Sequence, residues 1–219
     1  MVDVMISGEA GKLHAVYHKN PDPIAPLAVV LSGNPKHGYH MNDRISYAMF
    51  RAYMDNGFSV VRFNYRGVGE STGMIGSTAD NMIDIATVID WIQNQHEDSD
   101  AIWFAGSNIG AWYCLQAMMR RPELSGFTLV SPDCSISDLT FLSPRPNRGL
   151  LIQGANESAD NLAYGPYLAE LLKKSAKINL EIIKIRGADE KYIGAPALKQ
   201  MYNDIKAYVG REKEENKLL

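Results

Sequence analysis

Short, almost wholly apolar runs alternate along this chain with segments whose apolar residues recur at helical spacing. Runs such as 27–31 and 101–105 contain no polar residue, which is typical of strands that are buried on both faces. Between such runs, residues like Ile45, Ala48 and Met49 form the apolar stripe of an amphipathic helix. This alternation predicts a mostly parallel, twisted sheet with helices on both faces, a three-layer α/β/α sandwich.

The remaining elements follow from the same reasoning. Further buried strands are predicted at 58–63, 127–130, 150–152 and 180–185, and helices at 82–89, 109–119, 164–172 and 198–205. Polar and apolar residues alternate in 180–185, so this strand is expected near an edge of the sheet. The segments 4–6 and 13–17 surround Gly8 and Gly11 and predict an N-terminal antiparallel hairpin on that sheet.

Composition and charge fit a single globular domain and exclude several other classes. The chain has 219 residues, of which 46% are hydrophobic and 21% charged, and its net charge is −3. Lys and Arg are scattered, which argues against nucleic-acid binding, and no apolar run approaches the roughly 18 residues of a membrane span. We expect one domain over residues 1–210, followed by a charged C-terminal tail at 211–219.

The sequence also carries expectations about compartment and partners. The N-terminus lacks the features of a signal peptide, and Cys114 and Cys134 are too few for a disulfide framework or a zinc site. No dinucleotide or phosphate-loop fingerprint occurs. We therefore expect a cytoplasmic protein with no cofactor, no metal, and no nucleic-acid or membrane partner. We expect the aromatic residues Tyr202 and Tyr208 near the C-terminal helix to be exposed, which would permit a homodimer.

Residues that follow the predicted strands are the candidates for a site, because ligands bind beyond the carboxyl ends of strands in parallel sheets. One strand runs into Gly106-Ser107-Asn108-Ile109-Gly110, whose glycines are spaced as in the nucleophile elbow Gly-x-Ser-x-Gly. The central residue is Asn108, which tolerates positive φ but offers no hydroxyl nucleophile. Ser107 stands one position earlier, which directs its side chain to the opposite face of the sheet.

The loop after the first buried strand contains a second set of candidates. In proteins with a nucleophile elbow, this loop supplies one N–H of an oxyanion hole, and the residue after the nucleophile supplies the other. The candidate donors are therefore the N–H groups of Gly33 or Asn34 together with that of Ile109. His37 and His40 fall in the same loop and are candidate bases at the same mouth of the sheet.

A third strand end, from Asn64 to Ser71, carries two glycines in a tight turn. With the elbow and the loop before it, this turn resembles the α/β-hydrolase superfamily, in which it reads Asn-Phe-Arg-Gly-x-Gly-x-Ser. The similarity covers about residues 8–206 and is greatest to small, lidless bacterial hydrolases of the dienelactone-hydrolase-like kind. The resemblance implies an α/β-hydrolase fold, and the short segment between 130 and 150 leaves no room for a cap domain.

The resemblance further implies a catalytic triad in the order nucleophile, acid, histidine. The nucleophile position holds Asn108, the acid position Glu157, and the histidine position Glu190. Serine attack needs a hydroxyl and a base to take its proton, and a carboxylate of ordinary pKa is a poor base at neutral pH. We therefore expect a degenerate triad that does not support serine hydrolysis.

Two functional hypotheses concern the fate of the hydrolase chemistry. In the first, the chain is a non-catalytic module that binds a small molecule in its pocket or a protein partner. In the second, it hydrolyses a small ester or acyl substrate with displaced groups, Ser107 or Ser71 acting with His37 or His40. Two altered triad positions favour the first, and whether the chain is an enzyme stays open.

A third hypothesis assigns different chemistry to the carboxylates Glu157 and Glu190. If the two side chains lie within a few Å of each other, the pKa of one should rise and make a general acid available. Proton-transfer or glycoside chemistry would then be accessible. Two solvated glutamates on loops are the simpler interpretation of the same residues.

Overall fold

The computed structural model describes residues 1–121, 123–135, 138–144 and 147–216. The strands are β1 (Val2–Gly8), β2 (Gly11–His18), β3 (Leu27–Leu31), β4 (Ser59–Phe63), β5 (Ile102–Asn108), β6 (Leu124–Pro132), β7 (Arg148–Gly154) and β8 (Asn179–Ile185). The helices are α1 (Arg44–Met54), α2 (Thr78–Asn94), α3 (Ile109–Arg120), α4 (Ala159–Lys174) and α5 (Ala195–Asn216), with a short 3₁₀ turn at Pro35–His37.

All eight strands join one sheet in the order β1-β2-β4-β3-β5-β6-β7-β8. The pairs β1–β2 and β2–β4 are antiparallel, and all other neighbours are parallel. The predicted α/β/α architecture is confirmed, including the mostly parallel sheet and the N-terminal hairpin. β8 forms one edge, as its alternating pattern predicted.

Two hydrophobic cores lie on opposite faces of the sheet. One contains side chains from α2, α3 and α4, and the other contains side chains from α1 and α5. The central strands supply both: Val29 and Leu31 belong to the first core, and Ala28 and Val30 to the second. This explains why β3 carries no polar residue, since both of its faces are covered.

Helix α3 begins directly after β5 with no intervening loop. Side chains on opposite sides of α3 are buried, including those of Ala111, Tyr113 and Leu115. The helix therefore lies at the centre of the fold. The direct junction of β5 and α3 is the feature that fixes the geometry of the candidate site.

The C-terminal helix α5 continues past residue 210, so the boundary of the predicted tail falls inside a helix. Glu212 is buried and accepts a hydrogen bond from Arg148 at 2.9 Å. Residues 217–219 of that tail lie outside the described residues. In the described part of the chain, no helix combines the length and the apolar character that crossing a membrane requires.

The aromatic argument for a homodimer is wrong in its premise about exposure. Tyr208 is only 3% exposed and packs edge-on against Trp103 inside the core. Tyr202 is half-buried and donates a hydrogen bond to Asp55 at 2.5 Å. Both rings therefore stabilise the monomer, because helical spacing turns them toward the sheet and α1.

Candidate functional site

The elbow between β5 and α3 keeps the strained geometry that its glycine spacing predicts. Asn108 has φ 53° and ψ −123°, a conformation that L-residues rarely adopt. A Cβ on Gly106 would lie 2.3 Å from the carbonyl oxygen of Gly110, and a Cβ on Gly110 would lie 2.6 Å from the carbonyl oxygen of Leu31. Close backbone packing thus requires both glycines, and Asn108 stands at the tip.

The side chain of Asn108 is engaged with the loop after β3. Its Oδ1 accepts a hydrogen bond from the backbone N–H of Asn34 at 3.3 Å. The adjacent Gly33 is covered by an aromatic ring, because a Cβ there would lie 2.6 Å from Cγ of Tyr39. Ile109, the third predicted donor, is the first residue of α3 and is buried. One of the predicted oxyanion-hole donors, the N–H of Asn34, is therefore occupied by the chain's own carboxamide.

Glu157 is a buried carboxyl group in the loop between β7 and α4, which we call the acid loop. It is 6% exposed, and its Oε1 accepts hydrogen bonds from the Ser131 hydroxyl at 2.5 Å and from the Gly154 N–H at 2.6 Å. Oε2 is buried with no partner among the described residues. Burial raises the pKa of Glu157 and the charge of Glu190 adds to the rise, while these hydrogen bonds oppose it.

Glu157 and Glu190 occupy neighbouring loops that backbone hydrogen bonds join. Asn156 N–H donates to the Ala188 carbonyl at 2.8 Å, and Gly154 packs so closely that a Cβ would lie 2.4 Å from the same oxygen. Glu190 itself is partly exposed. The loops of Glu157 and Glu190 are therefore adjacent, and Ser131, which donates to Glu157, lies on β6 beside the strand that ends at Asn108.

Two further residues of this region were not identified in the sequence. Ser131 has φ 43° and Tyr192 has φ 52°, both positive, and the Tyr192 hydroxyl lies 3.3 Å from Ser131 Oγ. Burial raises the pKa of Tyr192, while the hydrogen bond with Ser131 opposes the rise. Ser131 follows a predicted strand and could have been noticed on that ground. Tyr192 gives no such signal, because it comes within a loop.

Among the described residues, no hydrogen bond joins Ser107 or Ser71 to His37 or His40. Ser107 is 1% exposed, shares a sheet face with the buried Ala105, and its Oγ has no hydrogen-bond partner among the described residues. His37 and His40 are exposed on the loop after β3. Ser71 is buried, donating its hydroxyl hydrogen to the Asn64 carbonyl and accepting one from the backbone of His14.

Two cavities lie beside the loop after β3. One, of about 310 Å³, is lined by His37, Tyr39, Asp43, Arg44, Lys191 and Ile193 among others. The second, of about 500 Å³, lies on the side of the 64–71 turn and shares Gly38 and Tyr39 with the first. Asn108, Glu157 and Glu190 line neither of these two cavities.

Metal binding is not supported by the side chains of the described residues. These residues contain no group of three or more His, Cys, Asp or Glu side chains placed to hold a metal ion. Cys134 is half-buried beyond β6, and burial raises the pKa of its thiol. Cys114 is buried in α3 and contributes to packing.

Comparisons with known proteins agree on the fold and on a family. A model of the family described as serine aminopeptidase, S33, matches residues 28–218. An uncharacterised protein of Rickettsia prowazekii is 32% identical over 195 residues, covering 86% of this chain and 81% of that protein.

Solved structures give the same indication. The chain is similar to a protein of unknown function from Agrobacterium tumefaciens, described as a candidate α/β hydrolase, with a TM-score of 0.91, 32% identity, and coverage of 98% and 97% of the two chains. It is also similar to an α/β serine hydrolase without a lid from Xanthomonas campestris, with a TM-score of 0.82, 21% identity, and coverage of 96% and 94%. At that identity the second similarity speaks for the fold alone.

Proposed function

This chain belongs to the serine aminopeptidase S33 family of α/β hydrolases, and from that premise we propose that it binds a ligand without hydrolysing it. The resemblance to α/β hydrolases is confirmed. The more specific proposal, that the triad of this member does not function, rests on the contacts of the site. One of these contacts is the main support for it.

That observation is the hydrogen bond between Asn108 Oδ1 and the N–H of Asn34. In an acyl-transfer enzyme, preorganised N–H donors stabilise the charge that develops on the substrate oxygen. Here a neutral carboxamide oxygen of the chain itself accepts from one of the candidate donors. A substrate carbonyl would have to displace it, and the elbow would then present no hydroxyl to attack that carbonyl.

The electrostatics of the acid loop support the same proposal. Burial raises the pKa of Glu157, which favours its neutral form and weakens it as a partner for a cationic base. Glu190 stands where the family places histidine, and a carboxylate does not replace imidazole as a proton carrier at neutral pH. Neither residue therefore compensates for the missing hydroxyl at Asn108.

A second candidate function, proton transfer by the paired carboxylates, is kept because of one specific observation. The charge of Glu190 contributes to the raised pKa of Glu157, so the two groups act on each other. This coupling is what a general acid would need. Burial of Glu157 weighs against it, because a substrate must reach the acid, and Glu157 lines neither of the two cavities.

The test is hydrolysis of short-chain p-nitrophenyl esters and aminoacyl p-nitroanilides by the wild-type protein, with covalent labelling by a fluorophosphonate. We expect no turnover above a heat-denatured control and no labelling. Turnover that Ser107→Ala abolishes would establish the displaced-group hydrolase instead. Turnover that survives Ser107→Ala but is lost in Glu157→Gln would establish carboxylate chemistry.

A further inference from the structure

The cavity of about 310 Å³ beside the start of α1 has a lining that differs in character from the triad region. We call it the basic cavity and define it by His37, Tyr39, Asp43, Arg44, Lys191 and Ile193. Its residues come from the loop after β3, from the start of α1 and from the loop before α5. Its volume is at the lower end of the range for small-molecule sites.

Two cations line the basic cavity without a protein counter-ion. Among the described residues, neither the guanidinium group of Arg44 nor the ammonium group of Lys191 takes part in an ion pair or a hydrogen bond. Other arginines of the chain are paired, for example Arg66 with Asp84 at 2.7 Å and Arg148 with Glu212 at 2.9 Å. Unpaired cations that line one concave surface attract an anion from solution.

The carboxylate that lines the basic cavity is already used by the backbone. Asp43 caps α1, with Oδ1 accepting from the Ser46 N–H at 2.8 Å and Oδ2 accepting from the Ser46 hydroxyl at 3.1 Å. Burial raises the pKa of Asp43, while its hydrogen bonds with Ser46 oppose the rise. In the adjoining loop, Asp189 Oδ1 is likewise used, accepting from the N–H groups of Lys191 and Ile193 at 3.1 Å.

Apolar surface in the same cavity indicates that the ligand carries an apolar body. The ring of Tyr39 is held against Gly33, and Ile193 is 64% exposed beside it. Burial raises the pKa of Tyr39 to about 12, and the charges of Asp43, Glu190, Asp133 and Asp189 contribute. Those negative charges disfavour an anion at the Tyr39 hydroxyl, which leaves Arg44 and Lys191 as its charged partners in this cavity.

We propose that the basic cavity binds a small organic carboxylate, its charge at Arg44 and Lys191 and its apolar part against Tyr39 and Ile193. This inference rests on the proposed function, since it names the class of ligand that a non-hydrolysing member would hold. Charge-assisted hydrogen bonds from a guanidinium and an ammonium group supply the specificity for carboxylate. The apolar walls distinguish it from an inorganic anion.

The test is titration of the wild-type protein with benzoate, benzamide and benzylamine, followed by amide NMR at low ionic strength. The three probes share a shape and differ in charge. We expect benzoate to shift the amides of Tyr39, Arg44 and Ile193, and to bind about tenfold more tightly than the other two. Added salt should weaken benzoate binding because Arg44 and Lys191 are exposed.

Variants locate the site. We expect the double variant R44Q/K191Q to bind benzoate about tenfold more weakly. The matched control K184Q/R186Q removes the same charge from two exposed residues at and after the end of β8, and should bind like the wild type. Equal binding of benzylamine, or unchanged binding in R44Q/K191Q, would overturn the inference. Ester turnover by the wild type would instead overturn the proposed function and leave a carboxylate site in place.

Discussion

At Asn108 the conformation of a nucleophile elbow persists where the nucleophile is absent. A residue with φ 53° and ψ −123° costs of the order of 1–3 kcal/mol and keeps that conformation only where its surroundings impose it. Here the surroundings do: Gly106 and Gly110 pack without space for a Cβ, and Asn108 Oδ1 bonds to Asn34. Asparagine tolerates positive φ better than most residues, so the turn can form although its tip carries no hydroxyl.

Glu157 is the residue whose ionisation should be visible in the stability of the whole protein. Its folded pKa is raised, chiefly by burial. A carboxyl group with a raised folded pKa favours the folded state below its unfolded pKa, and this contribution is lost as pH rises through the folded value. The wild type should therefore lose stability, relative to a variant without this titration, above the ordinary glutamate pKa of about 4.5.

Glu157→Gln isolates that titration, since glutamine keeps an oxygen that can accept from Ser131 and Gly154. We expect the free energy of unfolding of E157Q minus that of the wild type to be constant below about pH 4.5 and to increase above it. Urea denaturation of both proteins between pH 4 and pH 8 measures the difference. A difference that stays constant, or that decreases with pH, would mean that ionisation of Glu157 does not lower the free energy of unfolding.

At the level of elements, the site depends on how closely α3 approaches β3. The backbone of Gly110, in the first turn of α3, lies against the carbonyl oxygens at the end of β3, with no space for even a methyl group. This approach brings the tip of the elbow to the loop at Asn34. The contact between Asn108 and Asn34 is therefore a consequence of helix packing as well as of the residues themselves.

Gly110→Ala tests that approach. Its Cβ would lie 2.6 Å from the carbonyl oxygens of both Leu31 and Ser32, backbone atoms that cannot rotate away. We expect a loss of about 3 kcal/mol in the free energy of unfolding, measured by urea denaturation. Gly194→Ala is the matched control, with no atom within 4 Å of the added Cβ, and should stay within about 0.5 kcal/mol. Equal effects of the two substitutions would contradict the close approach.

At the scale of the molecule, periodicity was enough to predict the layers, the hairpin and the edge position of β8. Those features depend on local patterns, which a single sequence displays. The exposure of Tyr208 was predicted wrongly because it depends on where α5 packs, a long-range property. The resemblance located Asn108, Glu157 and Glu190 in the chain, since each follows a recognisable strand end.

The contacts on which the proposed function rests could not be predicted from the sequence. The bond from Asn34 to Asn108 joins residues from different strand ends, and the basic cavity joins Arg44 to Lys191 across most of the chain. The strained backbone of Ser131 and Tyr192 is also invisible in composition or spacing. Such features arise only when the loops are set side by side, because their geometry depends on packing rather than on residue type.

Because the scaffold of a hydrolase is retained, two substitutions should be enough to restore a reactive serine. In Asn108→Ser with Glu190→His, a hydroxyl replaces the carboxamide at the strained tip, and the N–H of Asn34 is released. An imidazole then stands at position 190, in a loop that is hydrogen-bonded to the loop of Glu157. We expect a fluorophosphonate to label this double variant about 100-fold faster than Asn108→Ser alone, the usual gain from a positioned base. Intact-protein mass spectrometry measures the labelling, and far-UV circular dichroism checks the fold.

Asn108→Ala with Glu190→His is the control without a hydroxyl, and labelling of that variant at the same rate would show that the probe reacts elsewhere. A folded double variant that resists labelling would contradict the expectation that the hydroxyl and the imidazole alone make this site reactive.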